Sequence, residues 1–200
     1  MNRALDILFS SAALIVLAPT LLLIAALIRL VDGRPVLFRH ERVGRCFEPF
    51  DLLKFRTMRS SEAGLSITVA EDDRITSLGG FLRRWKLDET PQLLNVLRGD
   101  MSLVGPRPEV VDFVELFPVE YAELLRVRPG ITDPASLEFR HEQDALNTLS
   151  DPLQTYIGSI LPQKLELSLR YTRTRTMWTD LQILAMTGTR LFSKPEKVSK

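Results

Sequence analysis

The sequence predicts an α-dominant α+β fold with an N-terminal membrane helix and a small β-hairpin. Three observations carry that expectation. Residues Ile7 to Ile28 form an apolar run without a charge. Two β-rich stretches flank a turn-rich link after it. Most of what remains places apolar residues at helical spacing.

The run "ILFSSAALIVLAPTLLLIAALI" has twenty-two residues. As a helix it would extend about 33 Å, enough to cross the roughly 30 Å hydrocarbon core. Three readings are open: a signal peptide, a single span, and a helix that dips into one leaflet and returns. No small-x-small cleavage pattern precedes the charged segment from Arg29. Pro19 cannot donate to the carbonyl of Ile15, and its ring crowds that turn, so a bend is expected at Ala18-Pro19. Ile7 to Ala18 alone would extend only about 18 Å. Arg29, Arg34, Arg39, Arg42 and Arg45 follow the run, against Arg3 before it. That imbalance puts the body of the protein on the cytoplasmic side. The chain divides into a membrane segment over 1–30 and a body over 31–200.

In the body, "PVLFRHERVG" and "EPFDLLKFRTM" read as the strands of a hairpin joined through "GRCFEP". "SSEAGLSITVAEDD" reads as a loop. "ITSLGGFLRRW" predicts a helix loosened at Gly79-Gly80. In "KLDETPQLLNVLRGD", Thr90 reads as an N-cap and Pro91 as the first helical residue, with a turn at Arg98-Gly99-Asp100. "MSLVGPRPEV" is extended, and two short helices follow, separated by Pro118. "RPGITDPAS" reads as a turn. A long helix over "DPLQTYIGSILPQKLELSLRYTRT" should bend at Pro162. "MWTDLQILAMTGTRLF" predicts a last helix with Trp178, Leu181, Leu184, Ala185 and Leu191 on one side. That side packs on the core, or lies on a bilayer with Trp178 at the interface.

Composition excludes several classes. A net charge of +1 does not suit a nucleic-acid binder. Cys46 is the only cysteine, so no intrachain disulfide exists, and His40 and His141 lack metal-ligand spacing. The chemistry concentrates around Asp88 and Glu89. Locally, two acids at a helix start are ordinary, because they offset the positive end of the helix dipole. Around them, however, lie Lys54, Arg56, Arg83, Arg84 and Arg107, cations that suit phosphate oxygens. Arg107 sits between two prolines that stiffen its backbone. With a phosphate substrate, one carboxylate can bind Mg²⁺ while the other attacks phosphorus.

The apolar segment with its proline, "KFRTM", "LGGFLRRWKLDETPQLLNVLRGDMSLVGPRPE" and "RPGIT" resemble the bacterial sugar transferase family. The likeness is to its minimal monotopic phosphoglycosyl transferases, which start glycan assembly on polyprenyl phosphate. It runs nearly from end to end, through "YIGSILPQKLELSLRYTRTRTMWTDLQIL". The resemblance implies transfer of a phosphosugar from a UDP-sugar to polyprenyl phosphate with release of UMP. It makes Asp88 the nucleophile of a ping-pong reaction and Glu89 the Mg²⁺ ligand. Lys54, Arg56 and Arg107 would lie near substrate or lipid headgroups. It also implies a re-entrant helix broken at Ala18-Pro19, membrane-surface helices around the active site, and a location on the cytoplasmic face of the bacterial inner membrane. A homodimer is compatible with it. Two departures stand out: Ala18 replaces a common serine before the proline, and "DPASLEFRHE" follows "RPGIT" where many members have a glycine and a glutamine-containing stretch. The alternative is a membrane-anchored interaction protein that kept the scaffold and lost the reaction.

Overall fold

The computed structural model describes residues 2–59, 74–140, 146 and 151–192. Helix dominates, as expected. The first helix, α1, runs from Arg3 to Val31 with Asn2 as its N-cap, the Asn2 side chain accepting from Ala4 N–H. It continues through Pro19, so Ala18-Pro19 does not end it; the missing amide removes one rung of the ladder without stopping the helix.

The burial of α1 matters more than its length. Asp6, Ser10, Ile24 and Ile28 are buried, and Ala13, Leu14, Leu17, Leu21 and Ala25 are packed against core residues. These positions recur every three or four residues and form one stripe. Leu8, Ile15, Val16, Leu22, Leu23 and Leu30 lie on the exposed remainder. The helix is therefore laid along the body rather than projecting from it.

Both of its ends are fastened to that body. Arg3 donates to the carbonyls of Val96 and Leu97. The Asp6 carboxylate accepts from Ser102 Oγ at 2.9 Å and from Leu103 N–H at 3.0 Å. At the other end, Ile24 and Ile28 pack with Phe55 and Leu82. Thr76 Oγ1 donates to Asp32 Oδ2 there, at 3.1 Å.

The hairpin forms where the β-rich stretches predict it. β1 (Leu37–Val43) pairs antiparallel with β2 (Pro49–Phe55), from Leu37 opposite Phe55 to Val43 opposite Pro49. The link holds a 3₁₀ turn at Arg45–Phe47. The expected loop over 60–73 lies outside the described residues.

Helix α2 (Ser77–Arg84) is not loosened at its two glycines. A Cβ on Gly79 would stand 2.1 Å from the Thr57 carbonyl oxygen. Gly79 thus serves close approach of α2 to the chain leaving β2. A 3₁₀ turn at Leu87–Glu89 precedes α3 (Gln92–Arg98). Thr90 is not the cap that the sequence suggested. Its backbone is already helical (φ −59°, ψ −30°), and its hydroxyl donates back to Leu87 O at 2.6 Å. The chain winds helically into α3, so no extended cap residue is needed.

β3 (Ser102–Val104) pairs in parallel with β4 (Gly130–Thr132), which falls in the segment expected to be only a turn. Gly105 and Gly130 permit this approach, since a Cβ on Gly130 would lie 2.0 Å from Gly105 N. α4 (Val111–Leu116) and α5 (Pro118–Leu124) flank Pro118, which opens α5. α6 (Pro134–Glu138) follows β4, capped by Asp133, which accepts from Ser136 N–H. The long C-terminal helix consists of α7 (Pro152–Thr155), a π turn over Tyr156–Ile160 and α8 (Leu161–Thr174). The wider π turn is where the missing N–H of Pro162 is absorbed.

The last helix, α9 (Met177–Phe192), faces inward differently from the expected stripe. Asp180 and Ile183 are buried, whereas Trp178 is 68% exposed. Asp180 is held by Tyr171 Oη at 2.5 Å and Arg175 Nη2 at 3.1 Å. A satisfied carboxylate therefore occupies a core position that apolar periodicity skips.

Candidate active site

Four elements deliver charge to one place. The 3₁₀ turn carries Asp88 and Glu89, β2 carries Lys54, the segment after β3 carries Arg107, and α2 carries Arg83. Asn95 of α3 locks the turn against the hairpin, its side chain accepting from Leu53 N–H at 3.0 Å and donating to Asp51 O at 2.8 Å. β2 and the acid turn are thereby held in register.

Glu89 is the electrostatic centre. Its Oε1 accepts from Lys54 Nζ at 3.0 Å and Arg107 Nη2 at 2.6 Å. Burial pushes the Glu89 carboxyl upward, but Arg107, Lys54 and Lys86 outweigh it and hold the group well below its usual range. Lys54 is lowered by burial, with the Glu89 charge opposing. Asp88 moves the other way. Burial and the neighbouring Glu89 charge raise it, against Lys54, Lys86 and Arg83. Asp88 is 7% exposed, and its Oδ1 is buried without a hydrogen-bond partner among the described residues. One acid is saturated by cations; its neighbour keeps an uncommitted oxygen.

Arg107 is held from behind. The Glu109 carbonyl accepts from Val43 N–H at 2.9 Å, and its carboxylate accepts from Arg42 Nη1 at 3.0 Å and Tyr156 Oη at 2.9 Å. Hairpin and C-terminal helix thus grip the Pro-Arg-Pro-Glu segment together. Arg83 stands nearby, its Nε donating to Thr57 Oγ1 at 2.9 Å.

The family model described as "Bacterial sugar transferase" matches residues 1–194. The chain belongs to the bacterial sugar transferase family. It is 38% identical over 191 residues to a UDP-glucose:undecaprenyl-phosphate glucose-1-phosphate transferase of Caulobacter vibrioides, covering 93% of this chain and 67% of that protein. A protein of the same name from Escherichia coli is 36% identical over 197 residues, covering 94% of this chain and 39% of its own length. An Aeromonas hydrophila UDP-N-acetylgalactosamine-undecaprenyl-phosphate N-acetylgalactosaminephosphotransferase is 35% identical, with 93% of this chain and 42% of that protein covered. The chain thus spans well under half the length of the last two.

Within this sugar transferase, two expected phosphate ligands stand apart from the acid pair. Arg56 donates to the carbonyls of Arg34 and Asp32, strapping the exit of α1. Arg84 is exposed on α2. One cation was not expected. Lys86 adopts a left-handed backbone (φ 55°, ψ 22°) at the start of the acid turn, and its charge acts on both carboxylates. Its signal was its place two residues before Asp88, although nothing in the sequence marks the left-handed backbone.

Proposed function

We propose that this chain transfers a phosphosugar from a UDP-sugar to polyprenyl phosphate, giving polyprenyl-diphosphate-sugar and UMP. The reading rests on one observation: a buried, unpartnered Asp88 oxygen beside a glutamate already neutralised by Lys54 and Arg107. Buried polar atoms are rarely left without a partner, and exceptions gather at catalytic groups. The relatives' names supply the substrate class, and membership of the family supplies the reaction type.

The steps we propose are those implied by the family resemblance, and the residues support them. Ionised Asp88 attacks the β-phosphorus, forming an aspartyl phosphosugar as the bond to the α-phosphate oxygen breaks. UMP leaves with that electron pair. A phosphate oxygen of the polyprenyl acceptor then attacks the same phosphorus, forming the diphosphate and releasing Asp88. This is a ping-pong sequence with a covalent intermediate. Arg107, Lys54, Lys86 and Arg83 bear on the charge of the phosphoryl oxygens.

Glu89 is the carboxylate that would hold Mg²⁺, which takes one or two carboxylates and completes its shell with water and substrate phosphate. Glu89 would share its charge between the ion and the two cations, which leaves the unpartnered Asp88 oxygen for phosphorus. When bound, Mg²⁺ supplies neutralisation of the donor diphosphate.

Contacts of α1 with the body near both of its ends support monotopic attachment, and the basic flank from Arg29 supports the cytoplasmic face. The re-entrant bend implied by the resemblance has no counterpart in the unbroken path through Pro19. The 29-residue helix is about 40 Å long, and a pose across a bilayer would carry one of its ends away from the body. Here Arg3 and Asp6 at the start, and Ile24 and Ile28 near the end, all contact one body. Phe81, Trp85, Trp178 and Met186 add exposed apolar surface suited to a lipid interface.

Purified protein with Mg²⁺, polyprenyl phosphate and a panel of UDP-sugars is expected to release UMP. Asp88→Asn abolishes release and the acid-stable phosphosugar mass on the peptide containing residue 88. Undiminished release by Asp88→Asn would sink the nucleophile assignment.

A further inference from the structure

A second buried polar atom near the acid turn lacks a partner. Gln92, the first residue of α3, is 1% exposed, and its Nε2 has no hydrogen-bond partner among the described residues. A side-chain amide that donates nothing in the interior costs the full desolvation of that group. An apolar side chain of the same shape would serve packing better. The unpaired amide is thus available to a partner that arrives from outside the protein.

The backbone says where that partner arrives. From the 3₁₀ turn at Leu87–Glu89, Thr90 and Pro91 continue helically (φ −59°, ψ −30°; φ −61°, ψ −16°) into α3. Gln92 thus follows Asp88 by four residues, a little more than one turn of this 3₁₀-like path. Two orphaned polar atoms of opposite kind, the Asp88 acceptor and the Gln92 donor, consequently sit on successive turns. They do not satisfy each other. A group bonded to Asp88 that carries acceptor oxygens would satisfy the amide, and a phosphoryl group is such a group. The beginning of α3 adds nothing on its own, since this seven-residue helix has little dipole to offer.

We infer that Gln92 is a further substrate-contacting residue, its side-chain amide donating a hydrogen bond to a non-bridging oxygen of the phosphoryl group carried on Asp88. The inference rests on the proposed reaction and extends it. Before the donor binds, the amide is unsatisfied. Once the phosphosugar is on Asp88, the amide is paired. Binding energy is therefore withheld until charge has moved onto the phosphoryl oxygens, which is the condition for accelerating a step rather than tightening binding uniformly. No electron or proton balance changes, because the amide keeps its hydrogens throughout.

The test uses Gln92→Met, which keeps the length of the side chain and removes the donor, and Gln92→Glu, which keeps the shape and offers an acceptor. UMP release by the full-length protein in detergent with Mg²⁺ and polyprenyl phosphate is followed for each active UDP-sugar, alongside thermal melting. The expected result is a turnover loss on the order of 10²-fold in Gln92→Met with a smaller change in donor KM. Its melting temperature should match or exceed the wild type, because a buried unsatisfied group has gone. Gln92→Glu should lose at least as much turnover. A residue that only fills space would show the reverse, with wild-type turnover in Gln92→Met, and that result overturns the assignment while leaving the reaction intact. Absence of UMP release by the wild type with every donor overturns the reaction and the assignment together.

Discussion

Arg107 Nη2 donates to Glu89 Oε1 across 2.6 Å, joining the segment after β3 to the acid turn. The contact is the closest of the charged pairs around the acid turn, and it binds a residue stiffened by Pro106 and Pro108. Arg107→Ala removes a guanidinium that holds Glu89 and, in the proposed reaction, bears on incoming phosphate. Turnover should fall by about 10²–10³-fold, the usual loss when one preorganised donor is removed from a charged transition state. Arg107→Lys should recover little, because an ammonium does not reproduce the fork. Steady-state UMP release checks both variants.

Adjacent acids should have opposite effects on stability. Asp88 is raised above its unfolded value near 3.8, so the folded chain binds its proton more tightly. Its contribution to stability therefore declines as pH rises through that window, and at neutral pH the charged form is a cost. Asp88→Asn should melt higher than the wild type while being inactive. Glu89 is held well below its ordinary 4.5, so it stabilises above that value and loses this contribution as pH falls through the folded value. Glu89→Gln should melt lower at neutral pH. Each kcal/mol shifts melting by about 2–4 °C in a chain of this size, within reach of a melting experiment.

The raised Asp88 also sets a pH dependence of activity. In the proposed reaction only its ionised form attacks phosphorus, so UMP release should fall on the acid side, with its limb above the ordinary aspartate range. Lys86 pulls Asp88 downward. Lys86→Met should therefore move the limb to higher pH. Lys86→Gly removes the charge too, but also relieves the left-handed backbone, so the same limb shift with better stability would separate charge from strain. Single-turnover UMP release across pH measures both. An unmoved limb in both variants would refute the influence of Lys86.

The candidate site could be named from "KLDETPQ", "KFRTM" and "GPRPE", because adjacent acids near several cations suit phosphate chemistry and the resemblance gave those residues roles. What the spacing could not show is which cations converge. Lys54 and Arg56 share a face by strand parity, yet β2 ends at Phe55 and Arg56 turns to the exit of α1. Arg83 and Arg84 lie about 100° apart on a helix, so one had to point away, but which one depends on Gly79 packing against Thr57. Gln92 escaped notice because a glutamine at a helix start is unremarkable until its burial is known. The short parallel pair of β3 and β4 was hidden for a similar reason: three-residue strands carry too little alternation to announce themselves.

Attachment of α1 at both ends gives the remaining prediction. Asp6 is 2% exposed and accepts from Ser102 Oγ and Leu103 N–H, so Asp6→Ala strands two buried donors. A loss of about 1–3 kcal/mol is expected, together with reduced turnover, because β3 leads directly to Arg107. The same fastening makes a topological demand. With Cys46→Ser as background, single cysteines at Asn2 and Val31 should both react with a membrane-impermeant maleimide added to inside-out vesicles, and neither should react in intact cells before lysis. A spanning helix would place the two cysteines on opposite sides. That outcome would also separate Asp6 from Ser102 by the thickness of the bilayer and break the contacts that align β3 with the acid turn. Labelling from one side and loss of turnover in Asp6→Ala are therefore two readings of one arrangement, in which the seating of α1 on the body is coupled to the geometry at Asp88.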